Sequence, residues 1–406
     1  MSTPSAYPDH PLKLDDAEGC TQLREAFVRA GYRTENLQRL FGTGDQGPVP
    51  VLDTAVCLRR PREPGPLDTL VRLFQLRDKV PEETARAALT PLDPARLQSM
   101  GLLDLHDGEA AAPFTIAPFE NFFIASDWLS ADRSATPADC VPGINPPTVL
   151  LAQLAIRRPV QTALDIGTGN GVHALLAARH AGHVVATDIN PRALNVTAFN
   201  ALLNGVANIE CRQGSFFEPV EDETFDFIST NPPFVISPDT RFLYRDGGRP
   251  GDGVCAELMG RLPDHLREGG IGQMLANWAC QPAGDWSNAP RHWVAERGCD
   301  ALVLMHQVDD PLTYAARWLR AEWLAHQDEY GRALDRWLDY YRACGIAAIA
   351  SGGVVVRRRS GVNWFEGLAV AEEINGFCGE QLRRLLSIRT TARSACGPPT
   401  TSWTAA

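Results

Sequence analysis

The chain has 406 residues, 44% of them apolar, enough for two or three domains with proper cores. Its net charge is −11, from 38 Lys and Arg against 49 Asp and Glu, which argues against a nucleic-acid partner, because such a surface must neutralise phosphates. No apolar run reaches ~18 residues and no charge-flanked apolar stretch opens the chain, so neither a membrane span nor a signal peptide is expected.

Ten scattered cysteines, none in a C-x-x-C pair, argue against a zinc site and suit a reducing cytoplasm. No metal site is expected, and the oligomeric state is open.

Residues 1–142 read as a separate accessory domain. Asp15 to Ala30, Asp68 to Arg77 and Pro81 to Leu89 carry amphipathic helix patterns, and a short helix from Asp93 is ended by Gly101. Phe114–Pro118 and Asn121–Ala125 then read as paired strands. Helices followed by a hairpin are the pattern of a winged-helix module, whose usual use is nucleic-acid binding. The first 145 residues hold 14 basic against 21 acidic side chains, which favours a lid or substrate-recruiting role instead.

The segment Gly143-Ile144-Asn145-Pro146-Pro147-Thr148 leads into a second domain, with Thr148 either a helix cap or a ligand contact. Thr162-Ala163-Leu164 reads as a buried parallel strand, and Val172 to Arg179 as a helix. Between them runs Asp165-Ile166-Gly167-Thr168-Gly169-Asn170-Gly171. A glycine turn from strand to helix is where open α/β sheets bind ligands, because a Cβ would hold the ligand off the backbone. The dinucleotide fingerprint is G-x-G-x-x-G, whereas Gly167, Gly169 and Gly171 are spaced G-x-G-x-G with Val172 at the third dinucleotide position. A second strand, His183–Thr187, ends at Asp188 and Ile189. An acid there can accept hydrogen bonds from both hydroxyls of a ribose, cap the helix from Pro191, or do both.

A third strand, Ile209–Arg212, delivers Ser215, Phe216 and Phe217; either aromatic is a candidate to pack on an adenine ring, or belongs to the core. A fourth, Phe225–Thr230, delivers Asn231-Pro232-Pro233-Phe234 to the same edge. An amide or aniline-like nitrogen is a poor nucleophile because its lone pair is delocalised. The Asn231 side-chain oxygen and the Pro232 carbonyl offer two acceptors that would hold its N–H groups, the prolines stiffen the loop, and Phe234 offers a stacking face. Taken alone, Asn-Pro-Pro is an ordinary turn.

Ile271–Trp278, Ala301–His306 and Ala347–Arg358 complete seven strands. Pro311 to Gly345 reads as helical, with Trp318, Trp323, Trp337, Tyr340 and Tyr341 at core spacing. Gly379 to Ser387 reads as a last helix, followed by a disordered tail.

Residues 143–280 resemble the class I methyltransferases, and within them the release-factor glutamine methyltransferases and the enzymes that methylate exocyclic amines of nucleobases. The glycine run, the Asn-Pro-Pro-Phe loop and the stretch Tyr244 to Gly253 carry the likeness. It implies a doubly wound Rossmann-like, seven-stranded α/β domain over 143–370, a helical N-terminal domain and a C-terminal helix and tail over 371–406. It implies S-adenosylmethionine as cofactor, held by Asp165, Gly167, Thr168, Gly169, Gly171, Asp188, Ile189, Ser215, Phe216 and Asn231, with Thr148 near the methionine carboxylate. Asn231, Pro232 and Phe234 would then hold the acceptor. In the family an acid often stands where Ser215 stands and bonds the adenine amine, so that contact is in doubt here. The expected reaction is N-methylation of a protein glutamine or a nucleobase. The alternative is a tailoring enzyme for a small amino acid, guanidine or amide. A cofactor-sensing protein without catalysis has no use for Asn231.

Overall fold

The computed structural model describes residues 10–42, 54–59, 63–129, 136–282, 284–320, 327–370 and 376–396. Trp323 and the tail beyond Cys396 lie outside them. The N-terminal part carries helices α1 (Ala17–Arg29), α2 (Thr34–Phe41), α3 (Thr54–Arg59) and α4 (Pro66–Phe74), strand β1 (Val80–Pro81), helices α5 (Glu82–Leu89) and α6 (Pro94–Ser99), and strands β2 (Asp104–His106) and β3 (Glu109–Ala111). The three short strands form one sheet in the order β1-β3-β2, so the succession helix, strand, two helices, hairpin is that of a winged-helix unit. Its hairpin turns at Asp107-Gly108, both at positive φ, a turn signal passed over in the sequence. The expected hairpin also exists, as β4 (Phe114–Phe119) and β5 (Phe122–Asp127), but it forms a sheet of its own.

The second part is a doubly wound sheet. Helix α7 (Pro146–Leu154) precedes β6 (Val160–Ile166), α8 (Val172–Ala178), β7 (Ala181–Asp188), α9 (Pro191–Leu203), β8 (Ile209–Gln213) and β9 (Phe225–Thr230). Then come α10 (Gly253–Arg261), β10 (Leu266–Cys280), α11 (Asn288–Val294), β11 (Cys299–Asp309), α12 (Pro311–Trp318), α13 (Gln327–Ala343), β12 (Ala348–Arg358), β13 (Phe365–Ala369) and α14 (Gly379–Cys396). The strand order is β13-β11-β12-β10-β9-β6-β7-β8. All seven expected strands are present, with an eighth, β13, parallel to β11 at the edge. Its five residues, Phe-Glu-Gly-Leu-Ala, include an interior glycine and carry little strand signal. No described helix is long and apolar enough to cross a membrane.

The two parts share a core. Phe27, Tyr32, Phe74 and Phe123 from the first pack with Ala193, Val196, Phe199 and Leu203 of α9 from the second. Polar contacts follow the same seam. Asn195 and Asn200 on α9 and Asn204 at its C-cap each accept from a backbone N–H and donate to the C=O of the same residue, respectively Leu12, Ala125 and Phe123. Arg192 forms a buried ion pair with Asp127. At the other end α14 runs on to Cys396, past its expected end, and buries Leu382 and Leu386 in the core behind β6 and β10. The Ser/Thr/Arg-rich sequence of its second half hid that length.

Candidate active site

Register brings the site together. Ile166 pairs with Thr187 and with Thr230, and Asp188 pairs with Gln213, so four parallel strands end level. The loops that leave them line one cavity of about 570 Å3. Asn231, Ser215, Asp188 and the glycine turn therefore meet although they are far apart in sequence.

The glycine turn is held from below and from the side. Thr168 N–H donates to Thr187 C=O and Gly169 N–H to Asp188 Oδ2, while Thr197 Oγ1 donates to Gly169 C=O. Gly171 has φ +80, and a Cβ there would stand 2.8 Å from Thr197 Cγ2, so the close approach of α9 requires glycine. At Gly167, φ +67, a Cβ would meet nothing within 4 Å: this face of the turn opens on the cavity. Asp165 lies beneath it, buried and outside the lining, and accepts from Thr168 Oγ1 at 2.8 Å and Ser229 Oγ at 3.2 Å. Burial pushes its carboxyl up to about 7.

Asp188 lines the cavity. It does not cap α9; Asn190 does, accepting from Arg192 N–H, while Asp188 Oδ1 accepts from Asn190 N–H at 2.9 Å. The Asn190-Pro191 pair is the ordinary N-cap signal, which a focus on the acid obscured. Burial raises the Asp188 pKa against the N–H groups that favour its charge. Thr148 also lines the cavity, but the cap of α7 is Asn145, whose Oδ1 accepts from both Thr148 N–H and Thr148 Oγ1.

At the far end Ile189, 57% exposed, and Ser215 form part of the lining with Phe216, held at φ 49. Phe217 belongs to the core, fully buried and stacked on His265 with ring centroids 4.3 Å apart. Sequence reasoning missed Asn170, whose Nδ2 donates to Pro142 C=O and ties the wall at Cys140–Gly143 to the glycine turn. It also missed His173, which lines the cavity and is pushed down to about 4 by burial.

On the opposite side Asn231 and Pro233 line the cavity, whereas Pro232 is buried behind them. Asn231 Oδ1 is buried with no hydrogen-bond partner. The Phe234 ring, expected to face a flat acceptor, is not in the lining; it packs edge-on against Trp318, centroids 6.4 Å apart, and touches three core clusters. Tyr244 and Phe216 are the aromatic residues of the lining. Three arginines near this side are engaged: Arg241 donates to Thr136 C=O, Arg245 pairs with Asp246, and Arg249 pairs with Glu257 at 2.5 Å.

A nucleoside-sized ligand fits these residues, since the volume lies in the ordinary range for ligand pockets and Gly167 leaves a Cβ's space free. Asp188 and Phe216, two of the residues expected to hold the cofactor, both line the cavity. Fold and site together define a class I methyltransferase, whose methyl donor is S-adenosylmethionine.

The Methyltransferase small domain family matches residues 143–278, and a domain of unknown function (DUF7059) matches 29–113. The release factor glutamine methyltransferase of Cereibacter sphaeroides is 38% identical over 139 residues, covering 31% of this chain and 50% of that one. A putative protein N5-glutamine methyltransferase of Methanocaldococcus jannaschii is 32% identical over 136 residues, covering 32% of this chain and 68% of that one. The ribosomal protein uL3 glutamine methyltransferase of Bradyrhizobium diazoefficiens is 36% identical over 126 residues, covering 28% and 40%. The chain belongs to the class I S-adenosylmethionine-dependent methyltransferases. It spans about half the length of the curated relatives it matches.

Proposed function

We propose that this chain methylates the side-chain amide nitrogen of a glutamine in a protein. The observation that carries the reading is the orphaned Asn231 Oδ1. A buried acceptor without a partner costs about 1–3 kcal/mol, and an entering primary amide brings the N–H group that would satisfy it. The Pro232 carbonyl, set behind Asn231 and Pro233, would be the second acceptor, so that both N–H groups of the amide are held and its nitrogen faces the cofactor. Bound S-adenosylmethionine supplies an activated methyl on a sulfonium. As the new N–C bond forms and the C–S bond breaks, the nitrogen becomes cationic and its N–H groups more acidic; Asn231 and Pro232 bind them more tightly at that point, and one proton then leaves to water. The hydrogen bonds made on binding are thus strengthened in the transition state, and that increment lowers the barrier without a strong base.

Relatives named for release factor and ribosomal protein glutamine methylation support a protein acceptor. So does the state of Arg241, Arg245 and Arg249, each already engaged and so poorly disposed to receive phosphates. The test is methyl transfer from S-adenosylmethionine to purified release factor and to ribosomal protein uL3, with the modified residue located by peptide mass spectrometry. Label on a glutamine side chain with the wild-type chain and its loss in Asn231→Ala is the expected result. Label on lysine, arginine or a nucleobase in a total extract, with glutamine unlabelled, overturns the proposal.

A further inference from the structure

The loop that follows the Asn-Pro-Pro-Phe motif is gripped by an element with no part in the cavity. Ile236, two residues beyond Phe234, has both backbone polar groups served by tyrosines. Its N–H donates to Tyr314 Oη at 3.1 Å, and its C=O accepts from Tyr341 Oη at 2.8 Å. Tyr314 comes from α12 and Tyr341 from α13, the described helices between β11 and β12. Tyr314 Oη also accepts from Asn277 Nδ2 of β10 at 2.6 Å, which ties the grip to the central sheet. All three residues are buried: Ile236 at 0% exposure, Tyr314 at 0% and Tyr341 at 1%.

Two more attachments follow along the loop. Asp239 accepts from Trp337 Nε1 at 3.0 Å and from Arg336 Nη2 at 2.8 Å. Gly251 N–H donates to Tyr340 Oη at 2.7 Å. Helix α13 thus holds the loop at 236, 239 and 251. Between those points the loop closes on itself, the Asp246 carboxylate accepting from Arg241 N–H, Phe242 N–H and the Arg245 guanidinium. The closed part lines the cavity with Leu243, Tyr244, Gly247 and Arg249 on the side of Asn231.

A core filler has no use for these hydroxyls. Phenylalanine would pack as well, and a buried hydroxyl is retained only where it has a partner. Here the partners are the peptide groups of the loop. We propose that α12 and α13 are the positioning device of the acceptor half of the site, with Tyr314 and Tyr341 as its positioning residues. They set where Asn231 and the cavity face of residues 243–249 stand relative to the cofactor. This rests on the reading of Asn231 as the acceptor clamp. It places the determinant of acceptor fit in a helical pair that touches no ligand.

The test compares Tyr341→Phe, Tyr314→Phe and the double variant with the wild-type full chain. Three measurements are made: hydrogen exchange followed by mass spectrometry, S-adenosylhomocysteine affinity by calorimetry, and methyl transfer to release factor. In Tyr341→Phe the amides of 236–251 are expected to exchange about tenfold faster, in line with one lost hydrogen bond, while those of β6 and β7 keep wild-type rates. S-adenosylhomocysteine affinity stays within twofold. The kcat falls about tenfold or more, as misplacement of a clamp by a fraction of an ångström would give, and the acceptor KM changes less. Faster exchange spread evenly over the sheet makes the tyrosines general stabilisers and overturns the proposal. So does unchanged exchange at 236–251, with or without a working acceptor, and so does faster local exchange with wild-type turnover. Failure of the glutamine reading shows elsewhere, as a wild-type chain that labels no glutamine.

Discussion

The two walls of the cavity are finished to different degrees. On the cofactor side the polar groups of the glycine turn already have partners: Gly169 N–H has Asp188, Gly169 C=O has Thr197, and Thr168 N–H has Thr187. On the acceptor side Asn231 Oδ1 is buried and has none. The turn's named groups are met by folding, whereas Asn231 Oδ1, like His173 Nε2 elsewhere in the lining, is met only by a group from outside. Cofactor affinity and turnover should accordingly respond to different residues.

The largest expected effect is at Asn231. Asn231→Ala lowers turnover by roughly 10²–10³, by analogy with removing one preorganised oxyanion donor, and leaves cofactor affinity within twofold. Because the lost oxygen has no partner in the folded chain, the thermal midpoint should hold or rise. Near-wild-type kcat in a methyl-transfer assay would reduce the clamp to a turn. Next comes Asp188→Ala, which removes the proposed ribose acceptor together with the support of Gly169 N–H. Titration calorimetry should show S-adenosylmethionine bound more weakly by about 1.5–3 kcal/mol, on the scale of charge-assisted hydrogen bonds. Unchanged affinity would take Asp188 out of the site.

Gly171→Ala tests how tightly the cofactor wall is built. A methyl at φ +80 and 2.8 Å from Thr197 should cost about 1–3 kcal/mol of stability in denaturant titration, and a smaller loss would mean that α9 can retreat. The smallest effect concerns pH. The Asp165 carboxyl is raised to about 7 by burial, so its proton is held more firmly in the folded chain than in the unfolded one. Its contribution to stability is complete below the unfolded value of about 3.9, declines as pH rises, and is lost once pH passes about 7. Asp165→Asn should flatten that part of the curve. Melting scans from acid to mild alkali in which both proteins fall in parallel would show that Asp165 does not titrate there.

What could be read from the sequence was what depends on local pattern. The central parallel strands carry short apolar stretches such as Ala163-Leu164 and Val184-Val185-Ala186, and Gly167, Gly169, Asp188 and Asn231 stand at or just beyond the strand ends. Those features survive because strand, turn and helix signals at each point agree. What could not be read depends on partners distant in sequence. Phe234 carries no mark to say whether its ring faces a ligand or Trp318. The hydroxyls of Tyr314 and Tyr341 gain their meaning from Ile236, which has no distinguishing feature of its own. Asn145 and Asn190 were legible as caps before proline and were overlooked beside Thr148 and Asp188. The wing at 104–111 was missed because its strands are only three residues long.

The asparagines of α9 have one more implication. Each presents an oxygen and an N–H side by side, as a neighbouring strand would, and so the N-terminal unit is zipped onto the helix through Leu12, Phe123 and Ala125 by a pairing that borrows the grammar of a sheet. Asn200 donates in addition to the C=O of Asn170, inside the glycine run. Peeling the unit away would exchange six such hydrogen bonds for bonds to water, at about 0.5–1.5 kcal/mol each, and would open the shared apolar core, so the unit and the helix should melt together. Strand β5 is thereby tied to the glycine run through a single side chain, and a load applied at Ala125 reaches Asn170 by way of Asn200.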